Sequence, residues 1–121
     1  MIEPRLYLMA LWIALMLSYL LGDVLRIFAG DFVPGEISGV KITQAQWLMI
    51  SVLMITPIVM LLLTLILPYP AARWLNIGAA AGWFLFNLAG LPTYPSLFDK
   101  FLNIFGLVIN AITILFAWQW V

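Results

Sequence analysis

Four apolar runs, each about the length needed to cross a bilayer, constrain this chain more than any other feature. They cover about Arg5–Phe28, Gln44–Leu67, Ala72–Leu91 and Leu97–Trp120. A membrane-spanning helix needs roughly 20 predominantly apolar residues. Water is absent from the hydrocarbon core, so backbone groups must be satisfied inside each segment, which makes the segments helices. Only 8% of the 121 residues are charged and 66% are hydrophobic, too little polar surface for a soluble domain. The expected fold is all-α: a polytopic membrane protein with four transmembrane helices in an up-down bundle, forming a single domain. The first run, "MIEPRLYLMALWIALMLSYLLGD", is too long for a signal peptide and lacks a small-residue cleavage site, so it is read as a retained first span.

The punctuation fits these spans. "ITQAQW" offers Thr43 as an N-cap with Gln46 three residues later, a capping box. "YPSLFD" repeats the pattern with Ser96 and Asp99, and the acid suits a helix N-terminus. Pro68 and Pro70 end the second span, and Gly90 and Pro92 end the third. Pro57 falls inside the second span, where a kink is expected, with Thr56 or Ser51 satisfying freed backbone groups. A hinge is the sharper reading. The connection Ala29–Thr43 is the only substantial loop, with Asp31, Pro34, Gly35, Glu36, Gly39 and Lys41. It suits a short hairpin or an interfacial cap. Tyr7, Trp47, Tyr69, Trp74, Tyr94, Trp118 and Trp120 fall near span ends, as an interfacial aromatic belt requires.

Several chemistries are excluded by absence. The chain has no cysteine and no histidine. That removes disulfides, thiolate or imidazole metal sites, iron–sulfur clusters and a Ser-His-Asp triad. No cofactor, no metal and no catalytic residue is assigned. Net charge is zero and there is no polybasic run, so nucleic acid is not an expected partner. The expected partner is the lipid bilayer, with a homodimer or higher oligomer and a small-molecule or lipid ligand as further partners.

Small residues mark packing surfaces. Ala10, Ala14, Ser18 and Gly22 recur every four residues on the first span, and Gly78 and Gly82 form a G-x-x-x-G on the third. Such spacings let helices approach closely in lipid. One stripe is expected inside the bundle, and the other is available for a subunit interface.

Polar residues gather at one pole. With alternating span directions, Asp23, Arg26, Gln44, Gln46, Asn87, Asp99, Lys100 and Asn103 all fall within roughly 10 Å of one membrane face, at a rise of about 1.5 Å per residue. Asp23 and Arg26 can pair at i,i+3, with Asp23 the deeper and Arg26 reaching outward. Charges at this depth usually find partners or line a watery cavity. A structural ion pair and a ligand site are both open. Asn110 lies near the centre of the fourth span, on a face with Asn103 and Gly106. It is expected to act as interhelical glue, or to line a path inward from the pole. The opposite pole holds Glu3, Arg5, Arg73 and Asn76. Basic residues are nearly balanced between the two sides, which raises dual insertion and an antiparallel dimer as a hypothesis, to be tested by labelling at Ser38.

The stretches "LWIALMLSYLLGDVL" (11–25), "LPYPAARWLNI" (67–77), "YPSLFDKFL" (94–102) and "AWQW" (117–120) resemble a family of small bacterial four-helix membrane proteins classed as a domain of unknown function. The resemblance implies a bacterial cytoplasmic membrane and brings no activity or site residue with it. The chain is unlike small multidrug transporters, since its only glutamates are Glu3 and Glu36 and none is embedded in the first span. The glycine-rich signature of fluoride channels is also missing. Three function classes follow: a homo-oligomeric transporter or channel with a polar pocket at one face; a non-catalytic subunit that binds a lipid-soluble ligand or supports a membrane complex; and, ranked last, a membrane enzyme acting on a lipid through Asp23 or Asp99.

Overall fold

A computed structural model describes residues 3–30, 33–37, 39–93 and 96–120. Asp31, Ser38 and Tyr94, singled out above, lie outside the described residues. The fold is all-α, built from α1 (Pro4–Phe28), α2 (Gln44–Met54), α3 (Thr56–Ile66), α4 (Tyr69–Gly90) and α5 (Leu97–Gln119), with a 3-10 turn at Leu91–Thr93. Helices α2 and α3 together make one span, Gln44–Ile66, so four spans are long and apolar enough to cross a membrane. The bundle runs up-down-up-down. Helix α1 packs against α3 and α5, and α4 packs against α3 and α5.

The second span carries the kink expected at Pro57, with Ile55 still in the helical region and i→i−4 bonds from Ile55 to Ser51 and from Val59 to Ile55 on either side. The two helices meet at Ile55, two residues before Pro57. Proline has no N–H, so the Leu53 carbonyl loses its helical donor. Thr56 Oγ1 donates to the Val52 carbonyl at 3.4 Å, and Ser51 Oγ donates to the Trp47 carbonyl at 2.9 Å. Across the kink, α2 buries none of its residues, whereas α3 buries Pro57, Met60 and Thr64.

Other boundaries move for similar reasons. Helix α4 begins at Tyr69 rather than Ala72, because Pro70 sits in its first turn. The missing N–H is harmless there. The Thr43–Gln46 capping box is formed, with Gln46 N donating to Thr43 Oγ1 at 3.2 Å and Thr43 N to Gln46 Oε1 at 2.8 Å. At α5 the corresponding box is not made. Ser96 occupies the N-cap position without a side-chain cap bond, and Asp99 turns inward instead. The long loop contains a two-stranded antiparallel hairpin, β1 (Glu36–Ile37) and β2 (Val40–Lys41), with Glu36 opposite Lys41. Gly39 follows β1 at φ +79°, a conformation that suits a residue without Cβ.

The interior is more polar than the exterior. Leu8, Trp12, Leu15, Met60, Ala80, Trp83 and Ile109 form apolar packing, but Ser18, Thr64, Asn76, Asn87, Asp99, Asn103, Asn110 and Thr113 are buried with them. Large apolar side chains such as Leu17, Leu48, Met49, Leu85 and Phe101 point outward. Lipid supplies no hydrophobic drive between helices, so small residues and hydrogen bonds hold the interface. On α1, Ser18 and Gly22 are buried while Ala14 is only partly so. A Cβ on Gly22 would lie 3.5 Å from Leu102 of α5. Gly78 and Gly82 are exposed on α4 with nothing within 4 Å of an added Cβ. Only the Ser18–Gly22 end of the α1 stripe is therefore buried in the bundle, Ala10 being exposed, and the α4 stripe faces out.

The pole bearing the chain ends is clamped by two arginines. Arg5 Nη1 donates to the Thr64 and Leu67 carbonyls, both at 2.6 Å. Arg73 donates to the Ala117 and Trp118 carbonyls at 3.1 and 2.9 Å. These carbonyls close α3 and α5, where a cation complements the helix dipole. Arg73 also lies over Trp74 and Trp118, and Arg5 over Trp120. Trp120 is buried in this clamp rather than set in an exposed belt.

Candidate functional site

Helix direction explains how the opposite pole is assembled. Helix α1 ends where α5 begins, so Arg26 in the last turn of α1 meets Asp99 in the first turn of α5. Each charge also complements the dipole of its own helix. Arg26 Nε donates to Asp99 Oδ1 at 3.3 Å, and Arg26 Nη1 donates to Asp23 Oδ1 at 3.0 Å. The two carboxylates differ greatly in environment. The Asp99 side chain is 3% exposed and that of Asp23 is 60% exposed, with Arg26 at 32% between them. The sequence reading placed Asp23 deeper than Arg26. Asp23 does lie a turn further from the end of α1 than Arg26, but its side chain is exposed, and the buried acid of the group is Asp99.

Beside this triad lies a cavity of about 190 Å³ between α1, α4, α5 and the end of α2. Asp23, Arg26, Asn87, Asp99 and Asn103 all line it, together with Tyr19, Trp83 and Phe86. Five of the eight sequence-predicted pocket residues thus share one wall. Gln44 is exposed at the start of α2 and Lys100 is half-buried on α5; neither lines the cavity. Asn110 lies seven residues beyond Asn103, about 10 Å further along α5.

Asn87 is the lining amide whose bonds are made within the protein. Asn87 Nδ2 donates to the Tyr19 hydroxyl at 2.8 Å. A Cβ on Gly106 would sit 3.5 Å from Asn87 Nδ2 and 3.6 Å from Leu15 Cδ1, ordinary contact distances, so α5 packs closely beneath Asn87. Trp83 packs against Tyr19 at 5.4 Å and edge-on to Phe86 at 5.2 Å. The buried oxygen Asn103 Oδ1 has no hydrogen-bond partner among the described residues. Both amide atoms of Asn110 are also buried, without a partner among the described residues.

Polar groups continue past this level. Thr113 Oγ1 donates to the Ile109 carbonyl at 2.8 Å. Nearer the other pole, Asn76 joins three helices. Its Oδ1 accepts from Trp12 Nε1 at 2.7 Å, and its Nδ2 donates to Thr64 Oγ1 at 3.0 Å and to the Ala72 carbonyl at 2.8 Å. The sequence reading left Asn76 at the opposite pole without partners, and it did not name Tyr19, Trp83 or Phe86 for the cavity. An apolar context hid their roles. Period-3.5 spacing on α5, where Asp99, Asn103, Gly106, Asn110 and Thr113 are all buried, carries the clearest signal. Among the described residues, no three acidic side chains gather into a metal-binding group.

Comparison with curated proteins and with solved structures gives no match. A family model matches residues 3–121, and the chain belongs to that family, described as a family of unknown function (DUF6326).

Proposed function

We propose that this protein is a small transport protein of the bacterial cytoplasmic membrane that admits a small organic solute through its polar pole. One observation carries the reading. The cavity beside Asp99 combines a buried carboxylate held by a half-buried arginine, an amide oxygen without a partner among the described residues, and aromatic walls at one end of an apolar bundle. A bundle serving only as a spacer gains little from burying a carboxylate, since desolvation offsets most of the pair's attraction. Ligand sites have this mixed character: mostly apolar walls with a few convergent polar groups. Asn110, Thr113 and the Asn76–Thr64 pair supply polar groups further along the interior.

A screen of small organic solutes against the protein in nanodiscs, followed by uptake into proteoliposomes, tests this. A binder that is also taken up, with both effects lost in Asn103→Leu, supports transport. Binding without uptake favours a second reading, a ligand-holding subunit of a larger membrane complex. The observation favouring that reading is the open face at Gly78 and Gly82, which leaves α4 accessible to another helix. Native mass spectrometry from gentle detergent reports stoichiometry and any retained ligand. Absence of any binder overturns both readings.

A further inference from the structure

We infer that the cavity selects a small organic cation, a protonated amine with a compact apolar body. The inference rests on the cavity being a ligand site, and it names the class of ligand. Charge is the first observation. One guanidinium, Arg26, is divided between two carboxylates, meeting Asp23 through Nη1 and Asp99 through Nε. The ionised groups in the wall therefore sum to one negative charge (Arg26 against Asp23 and Asp99). Lys100, next to Asp99 in sequence, is not part of this wall.

Hydrogen-bonding capacity is the second. Asn103 is more than nine-tenths buried, lines the same cavity, and its Oδ1 accepts from no donor among the described residues. A buried acceptor without a donor is costly, and an N–H donor relieves it. Asn87, the other amide in the wall, is already engaged with Tyr19. The need is thus for a donor beside a negative charge, which an ammonium group supplies.

The third observation is the aromatic wall. Trp83 stands between Tyr19 and Phe86. Aromatic faces attract cations, and more strongly once water is removed. They also suit an apolar body. The volume of about 190 Å³ corresponds to roughly six waters at about 30 Å³ each, room for a single-ring amine.

The test is calorimetric titration of the full chain in nanodiscs with three probes of one shape: benzylammonium, benzyl alcohol and benzoate. Benzylammonium is expected to bind about ten- to a hundredfold more tightly than benzyl alcohol, the range for a hydrogen bond to a charged group, and benzoate not at all. Asp99→Asn removes one negative charge and should collapse the preference for the cation while keeping binding of the alcohol. A merely structural loss would weaken both probes alike. Asn103→Leu breaks no ion pair and should weaken benzylammonium at least severalfold, which keeps the test available if Asp99→Asn does not fold. Benzyl alcohol binding as tightly as benzylammonium overturns the inference and leaves the ligand-site reading intact. Failure of all three probes overturns both.

Discussion

Arg26 of α1 reaches Asp99 of α5 across the helix interface at 3.3 Å, and the carboxylate it meets is 3% exposed. The same guanidinium holds Asp23 at 3.0 Å, but that side chain is 60% exposed. Two contacts of similar length therefore have very different energetic weight. Breaking a buried pair from one side leaves an uncompensated charge, at a cost of about 3–5 kcal/mol. An exposed pair contributes about 0–1 kcal/mol. Arg26→Leu should strongly destabilise the bundle, whereas Asp23→Asn should leave it nearly unchanged. The double variant Arg26→Leu/Asp99→Leu should recover most of the loss. Reversible unfolding in mixed micelles measures all three, and equal effects of the two single variants would contradict this assignment.

The glycines separate into two groups that can be told apart by substitution. Gly78 and Gly82 meet nothing, so leucine there projects into lipid and should change folding stability by no more than about 0.5 kcal/mol, as for other surface positions. Gly22 and Gly106 face Leu102 and Asn87 at ordinary contact distance. Alanine fits at both, but leucine displaces Arg26 or Asn87 and should lower the thermal midpoint. Light scattering on the Gly78→Leu/Gly82→Leu protein also reports the oligomer. A shift to a smaller species with unchanged stability would place another helix on the open face of α4.

Much of this architecture was legible in the sequence, for a physical reason. Spans follow from apolar length, and the Thr43 capping box from local chemistry, so both are one-dimensional signals. Pro57 also announced itself, and the kink beside it separates α2, without a buried residue, from the packed α3. Depth counting brought Asp23, Arg26, Asn87, Asp99 and Asn103 to one pole because rise per residue is fixed. Rotation about the helix axis was harder. It decides that Asp99 rather than Asp23 is the buried acid, and it depends on which neighbour α1 faces. The Asn76–Trp12–Thr64 contacts join residues up to 64 positions apart, beyond any local pattern.

Pro57 controls the direction of α2, whose last residue, Met54, touches the cavity. Pro57→Ala restores an N–H to the Leu53 carbonyl and removes the ring that crowds the preceding turn. A straighter helix over 44–66 should result, with α2 realigned on α3. Spin labels at Trp47 and Leu62, both exposed, should then show a longer and narrower distance distribution by pulsed electron resonance. An unchanged distribution would mean that packing of α3, rather than Pro57, sets the kink.

One substitution should have very different costs at two positions. Asn76 is fully used: it accepts from Trp12 Nε1 and donates to Thr64 and Ala72. Asn76→Leu strands the buried indole N–H, which costs about 1–3 kcal/mol. Asn110 is as deeply buried, 1% exposed, but neither amide atom has a partner among the described residues. Asn110→Leu bears the same cost of fitting a larger side chain but removes two unsatisfied groups, so it should be less destabilising than Asn76→Leu by about 1–3 kcal/mol or more. Unfolding of both variants under identical detergent conditions checks the pair. Destabilisation by Asn110→Leu comparable to that of Asn76→Leu would show that Asn110 does bond to a group in the membrane-embedded protein. Its amide would then belong with the polar stations of the interior rather than with the groups that folding leaves unpaired.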